Sequence, residues 1–348
     1  MTLREFTLHD IEALAVGAWI LGTGGGGSPY LGLLNMRRLY AEGHRVALMP
    51  AAELADDDWV AAVSNMGAPL VGQERLTDSR TIARAVALME EHTQYRFRGI
   101  MALEIGGGNS IQPLMAAVHL RRPVIDADMM GRAYPEAQMT SVAVGDLKPC
   151  PLTTVDVRGL ETIVDNVPSW KWMERVSRKI CVEYGSIAST CKAPRTGREV
   201  KRWGIHGTTT KAIAIGRAVR EAQRTHRDPI AAILAVEPGK VLYQGKVRDV
   251  ERPANRRCPQ AACARAGSPR WRGHAHRLPE RVDRRLARGP TDRHVPGLDL
   301  CSRQRQRRGY RHGDDPLRSA RHGDCAATAA GVSHSQGARA CGPTRVWL

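Results

Sequence analysis

Only two phenylalanines occur in 348 residues, and no apolar run reaches the roughly 18 residues that a membrane-spanning helix needs. The opening stretch MTLREFTLHDIEALAVGAWI has acids inside its first apolar run and no small-residue cleavage site. It does not read as a secretory leader, and a cytoplasmic protein is expected. Cysteine is equally scarce over the first 251 residues. Cys150, Cys181 and Cys191 are too few and too widely spaced for a disulfide framework, and no Cys/His arrangement points to a thiol nucleophile. Ser64 lacks a G-x-S-x-G elbow, and EIGGGNS lacks the lysine of a P-loop, which argues against nucleotide triphosphates.

From Arg252 onward lysine, isoleucine, methionine and phenylalanine disappear altogether. This tail carries 21 Arg against seven acids, so +14 of the formal +17 lies here and the first 251 residues hold only +3. A charge of that size commonly marks a polyanionic partner. Cys258, Cys263, His274 and His276 fit no zinc finger or ribbon spacing.

The first 251 residues do carry the patterns of a folded enzyme. Apolar side chains at helical spacing run over 8–21, and SPYLGLLNMRRLYAEG opens with Ser28 as cap and Pro29 at the first helical position. WVAAVSNMGAP, GIMALEIGGGNS and RPVIDADMMGR read as buried strands, separated by helical segments near 79–92 and 110–119. Strands alternating with helices predict a three-layer αβα domain on a mostly parallel sheet. Short alternating runs over 140–164 predict antiparallel strands or an edge hairpin. Helices follow over 169–185, capped by Ser169, over 208–224 and in DPIAAILAVEPG, and then GKVLYQGKVRDVE alternates as a strand.

In an open parallel sheet, ligands bind beyond the carboxyl ends of the strands. The second strand run ends in Glu104, followed by Gly106, Gly107, Gly108 and Asn109; the third ends in Asp126 and Asp128, followed by Arg132. Two residues apart on an extended chain, Asp126 and Asp128 are expected on one face. Three carboxylates meeting in a crevice could hold a divalent metal ion, or one with a raised pKa could act as general acid or base. The alternative is that one or two cap a helix or accept backbone N–H groups. Gly24, Gly25, Gly26 and Gly27 follow a helix rather than a strand, so the dinucleotide reading is weak; their N–H groups could still hold an anion or a carbonyl oxygen. His206, before the helix of GTTTKAIAIGRA, reads as a solvated loop residue, and Trp170 and Trp172 as packing.

Taken together, LGTGGGGSPYLG, MGAP, EIGGGNS, VIDADMMGRAYPE, GTTTKAIAIGRA and GKVRDVER resemble a bacterial family once known only as DUF917 and now named after S-methyl thiohydantoin desulfurase. The resemblance covers Leu8 to about Glu251. It implies an α/β domain over 1–239 and the start of a C-terminal β-barrel-like domain at 240–252. It further implies a hydrolase acting on a hydantoin or thiohydantoin ring, removing a sulfur substituent. A non-catalytic small-molecule-binding partner of a hydantoinase or oxoprolinase is the rival reading, and a homo-oligomer is a further possible assembly. On this reading Glu104, Asp126 and Asp128 do the chemistry, with or without a metal. The glycines, Asn109 and Arg132 hold the substrate. GIHGTTT departs from the family, where a Pro-Gly-Thr turn is expected, and weakens any role for His206.

The family pattern stops after DVER. Reading the tail one base downstream leaves only each degenerate third base free, yet Arg277 to Cys301 then accommodates an alternating apolar and polar sequence of the kind β-strands use. The same shift permits a Thr-Gly-Gly turn directly after VER. We therefore expect 253–348 to be a frameshifted tail without an evolved fold, disordered by composition. Arginine without lysine is what GC-rich codons give by accident, so nucleic-acid binding is the weaker account of the charge.

Overall fold

The computed structural model describes residues 3–23, 25–68, 71–75 and 78–241, and the backbone of short strand segments at 244–245, 247–251, 263–266, 276–277 and 345–346. Gly24 and nearly all of the expected frameshifted tail lie outside the described residues. The chain divides into two compact units, Met1–Gly239 and Lys240–Leu348.

In the first unit the strands are β1 (Arg4–Glu5), β2 (Ala47–Pro50), β3 (Trp59–Gly67), β4 (Phe97–Ala102), β5 (Val124–Asp128), β6 (Leu152–Val155), β7 (Glu161–Val164), β8 (Ile187–Thr196) and β9 (Ile205–His206). The helices are α1 (Leu8–Gly22), α2 (Tyr30–Ala41), α3 (Val71–Glu74), α4 (Ser79–Thr93), α5 (Gln112–Leu120), α6 (Ser141–Val144), α7 (Trp170–Glu183), α8 (Gly197–Trp203), α9 (Thr208–Arg224) and α10 (Pro229–Val236). The sheet runs β1-β2-β5-β4-β3-β8-β6-β7, with β9 paired to β5. Its centre, β2-β5-β4-β3, is parallel, and the strands on either side join antiparallel.

The central strands are apolar because both faces are covered. Ala61, Val63, Ile100 and Val124 point into one core with α1, α4, α5 and α9. Their neighbours Val60, Ala62, Met101 and Ile125 point into a second core with Trp170 and Met173 of α7. This period-two division gives continuous hydrophobic runs in the sequence. Among the described residues no helix is long and apolar enough to cross a membrane.

Two expectations change. The segment around Thr140 is not a strand: its hydroxyl caps α6 by accepting the Ala143 N–H, and the antiparallel hairpin begins only at Leu152. The ten-residue strand β8, paired to β3 at the heart of the sheet, was not anticipated. It carries Lys192, Pro194 and Arg195, residues that disguise a buried strand.

The helix pair α1 and α9 crosses at backbone distance. A Cβ on Gly17 would sit 1.8 Å from the Ala212 carbonyl oxygen, and one on Gly216 equally close to that of Ala13. Ion pairs rim the crossing: Arg217 meets Asp10, and Arg220 meets Glu12 at 2.8 Å. This crossing sets the N-terminus of α9 beside the end of β5.

Candidate functional site

Glu104 lies two residues beyond β4 in a bend whose residues are buried. Its side chain is 6% exposed and divides its hydrogen bonds between two loops. Asn109 Nδ2 donates to Oε1 at 2.7 Å, and the Tyr134 N–H donates to Oε2 at 3.0 Å. Asn109 is itself held from the other side, its Oδ1 accepting the Asn65 N–H at 2.8 Å. The carboxyl ends of β3, β4 and β5 are thereby tied into one polar layer.

Asp128, the last residue of β5, is fully buried. Its Oδ2 accepts the Ile105 N–H at 2.7 Å, and both oxygens accept the Gly131 N–H at 2.9 Å. Burial pushes its pKa up to about 7; the backbone donors oppose this and the neighbouring Glu104 charge reinforces it.

Asp126 does something different. Its Oδ1 accepts the N–H groups of Thr209 and Thr210, and its Oδ2 takes the Thr210 hydroxyl. The side chain caps α9, whose N-terminal turn offers unsatisfied N–H groups and a positive dipole end. The expectation of three carboxylates forming one metal centre is corrected here: among the described residues, no three of His, Cys, Asp and Glu are grouped to hold an ion. Glu104 and Asp128 sit together, while Asp126 is spent on a helix. The signal for this was present in GTTT, a run of hydroxyl residues opening a helix.

The two glycine loops pack against each other. The Gly108 N–H donates to the carbonyls of Gly26 and Gly27 at 3.0 and 2.9 Å. Gly26, Gly27 and Gly107 all have positive φ, and a Cβ on Gly26 would meet the Gly106 oxygen at 2.1 Å. Gly106 is closed in by Ala133 and Gly22. Glycine is needed because two backbones touch. Gly25 completes the turn by donating to the Gly22 carbonyl at 2.7 Å.

Arg132 is exposed and has no hydrogen-bond or ion-pair partner among the described residues, which leaves its guanidinium available next to the Asp128 turn. His206 is an exposed residue of β9, paired with Ala127 of β5, and its Nε2 lies 3.1 Å from the Val200 carbonyl. Trp170 is buried in the second core and Trp172 exposed. Sequence reasoning missed Tyr134, whose N–H orients Glu104, and Thr208, whose buried hydroxyl has no hydrogen bond among the described residues.

Comparison with known proteins agrees with this architecture. A crystal structure of a structural-genomics protein from Chromobacterium violaceum superposes with a TM-score of 0.63 at 22% identity, over 74% of each chain. At that identity the likeness is one of fold. No curated protein matches the chain. The model of the S-Me-THD-like N-terminal domain matches residues 9–166, and that of the C-terminal domain matches 168–260. Glu104, Asp126 and Asp128 fall in the first match, while the α9 turn that Asp126 caps falls in the second. With both models matched in tandem over most of its length, the chain belongs to the S-methyl thiohydantoin desulfurase-like family.

Proposed function

We propose that this protein is a hydrolase acting on a hydantoin or thiohydantoin-type ring, with Glu104 moving the proton and Asp128 positioning the backbone behind it. The observation that carries the reading is a buried carboxyl pair at the carboxyl ends of the parallel strands, one member of which titrates near neutrality. Family membership supplies the ring; the acid pair supplies chemistry suited to it. Water adds to the ring carbon that bears sulfur, and a C–O bond forms. The C–S bond then breaks, and the thiol leaves with a proton drawn from the attacking water. Glu104, the more accessible of the pair, would relay that proton, and Asp128 would hold the Ile105 and Gly131 N–H groups in place behind it. Arg132 would meet negative charge on the substrate, and Asp126 would position α9.

The direct test is thiol release from S-methyl thiohydantoin by the full chain and by Glu104→Gln. A loss of roughly 10²–10⁴-fold in kcat is expected for removal of a general acid or base, in a protein that still folds but melts lower, because the new amide nitrogen must face one of the two N–H donors that Glu104 accepts. Undiminished turnover in that variant would end the assignment. One observation favours a second reading. Both oxygens of Glu104 and of Asp128 already accept protein N–H groups, as they would in a binding protein without turnover. Ring binding with no thiol release from the wild type would select that alternative, a non-catalytic partner of a hydantoinase or oxoprolinase.

A further inference from the structure

Strand β8 carries two buried cations that the proposed chemistry does not use: Lys192 is 1% exposed and Arg195 is 3% exposed. Three residues apart, they would ordinarily point to opposite faces of a strand. A β-bulge changes that. Arg195 pairs with Val60 and Lys192 with Ala62, so Ala193 and Pro194 stand opposite the single residue Ala61. Val60 and Ala62 both face the second core, and their partners Lys192 and Arg195 face it with them, about 7 Å apart along the strand.

The contacts of each cation agree with this placement. The Arg195 guanidinium lies 5.7 Å from the centroid of the Trp170 ring of α7, and its Nη2 donates to the Lys148 carbonyl at 2.6 Å. Its buried Nε has no hydrogen bond among the described residues, and neither has the Lys192 ammonium. Across the layer Lys192 feels Glu174, Arg178 and Cys181 of α7, with Cys191 beside it on its own strand. The Glu174 carboxylate is bound to Arg178 and accepts the Ala137 N–H at 3.2 Å, so it gives Lys192 an attraction but no hydrogen bond. Glu199, the acid that Arg195 feels, accepts the Thr196 N–H in the cap of α8. With Glu174 offset by Arg178, the layer keeps an excess of positive charge.

Buried cationic donors without an acceptor are costly, and such groups are ordinarily completed by a water or an ion. Water would satisfy the donors and leave the charge; an anion answers both. The surroundings choose among anions. Leu152, Trp170 and Met173 make this face of the sheet apolar, which penalises a strongly hydrated divalent oxyanion more than a small monovalent ion. With Nη2 given to Lys148, Nε lacks the second free nitrogen of the fork that recognises carboxylates and phosphates.

We infer that the layer between β8 and α7 is a binding site for a small monovalent anion of the halide class, held between the Lys192 ammonium and the Arg195 Nε–H. The site is separate from the acid pair and does not depend on the ring reading. It fastens α7 to the sheet, and α7 in turn holds the segment after Tyr134, through Arg178 to the Pro135 carbonyl at 2.9 Å and through Glu174 to the Ala137 N–H.

Thermal melts of the full 348-residue chain at pH 7, in sodium chloride, bromide or gluconate at a matched ionic strength of about 0.3 M, test the site. Lys192 is charged at that pH, since burial lowers its pKa only to about 8. The wild type should melt about 2–4 °C higher in either halide than in gluconate, because an ion that binds only the folded state stabilises it. Lys192→Met, which keeps the bulk of the side chain and loses the donor, should melt at one temperature in all three salts. In gluconate it should melt above the wild type, by a margin that chloride narrows. Broadening of the chloride NMR resonance by the wild-type chain, reduced in Lys192→Met and in Arg195→Met, reads occupancy directly. Equal wild-type melting in chloride and gluconate would leave the two donors to water and overturn the site. A halide gain that survives in Lys192→Met overturns it as well. A Lys192-dependent gain in phosphate, with none in chloride or bromide, overturns the halide assignment.

Discussion

Asp126 and Thr209 are 83 residues apart in sequence, and the carboxylate of one accepts the backbone N–H of the other at 3.0 Å. An acid from the middle of β5 thus caps a helix whose own N-cap residue, Gly207, has no side chain to do so. The bond also joins the two regions that the family models match, Asp126 lying in the first and Thr209 in the second.

The first prediction concerns that bond. Asp126→Ala removes the acceptor of two N–H groups and a hydroxyl, and should destabilise the fold by about 1–2 kcal/mol, the usual range for loss of a cap. Asp126→Asn keeps one acceptor oxygen and should recover part of that loss. Urea denaturation measures both, and an Asp126→Ala midpoint equal to wild type would show that the cap is idle.

Asp128 gives a pH signature of known sign. Its pKa is raised from 3.8 to about 7 in the folded chain, so between those values the native state holds a proton that the unfolded state has released. Stability from this group is full below about pH 4 and is lost as pH rises through 7, with a slope of up to about 1.4 kcal/mol per pH unit. Replacing Asp128 with Asn should flatten that segment of the stability profile. Chemical denaturation from pH 4 to 8 reads the slope, and an unaltered profile in the variant would assign it to another group.

How far this site was legible follows from what each residue touches. β3, β4 and β5 could be read because burial on both faces makes them continuous apolar runs, and Glu104 and Asp128 stand out as acids at their ends. The partition of the acids could not be read. Whether Asp126 joins Asp128 or turns to α9 depends on how α9 packs on α1, and that depends on Gly17 and Gly216 far away in sequence. β8 was hidden for a similar reason: Lys192 and Arg195 look like surface residues until their neighbours bury them.

Lys192 itself supports a third prediction. It is 1% exposed, its ammonium has no hydrogen bond among the described residues, and burial lowers its pKa to about 8 from 10.5. Below pH 8 the folded state carries the full penalty of a buried charge. Stability from this group rises as pH passes from 8 to 10.5, where only the unfolded chain still binds the proton. Lys192→Met, similar in volume and paired across the sheet with Ala62 of the second core, should stabilise the protein at pH 7 by about 1–4 kcal/mol. A drop in melting temperature instead would mean that the attraction between Lys192 and Glu174 outweighs the cost of burying the charge.

The α1 and α9 crossing gives a fourth. Gly216→Ala puts a methyl group into the Ala13 carbonyl, so the helices must separate and the fold should lose about 1–3 kcal/mol or more. Gly43→Asn is the control: its φ is +89°, nothing lies within 4 Å of an added Cβ, and asparagine tolerates the left-handed region. Thermal melts should separate the two clearly. Because the crossing seats the α9 turn, Gly216→Ala should also weaken ring binding, whereas Gly43→Asn should not.

The last prediction concerns the arginine-rich tail, and here the proposal is that the reading frame shifts near Arg252. The composition changes abruptly at that point, and the match to the family's C-terminal domain runs only to residue 260. If a base was gained or lost there, resequencing the gene around codon 252 should reveal it, and the restored frame should continue into a Thr-Gly-Gly turn and alternating strands. The frame-corrected chain should then unfold with a larger denaturant slope than the present one, because that slope grows with the surface exposed on unfolding. A verified sequence identical to this one would favour a genuine basic tail instead. In that case deletion of 253–348 should reduce DNA or RNA affinity in a salt-dependent manner, whereas a frameshifted tail is expected to bring no affinity that favours one sequence over another.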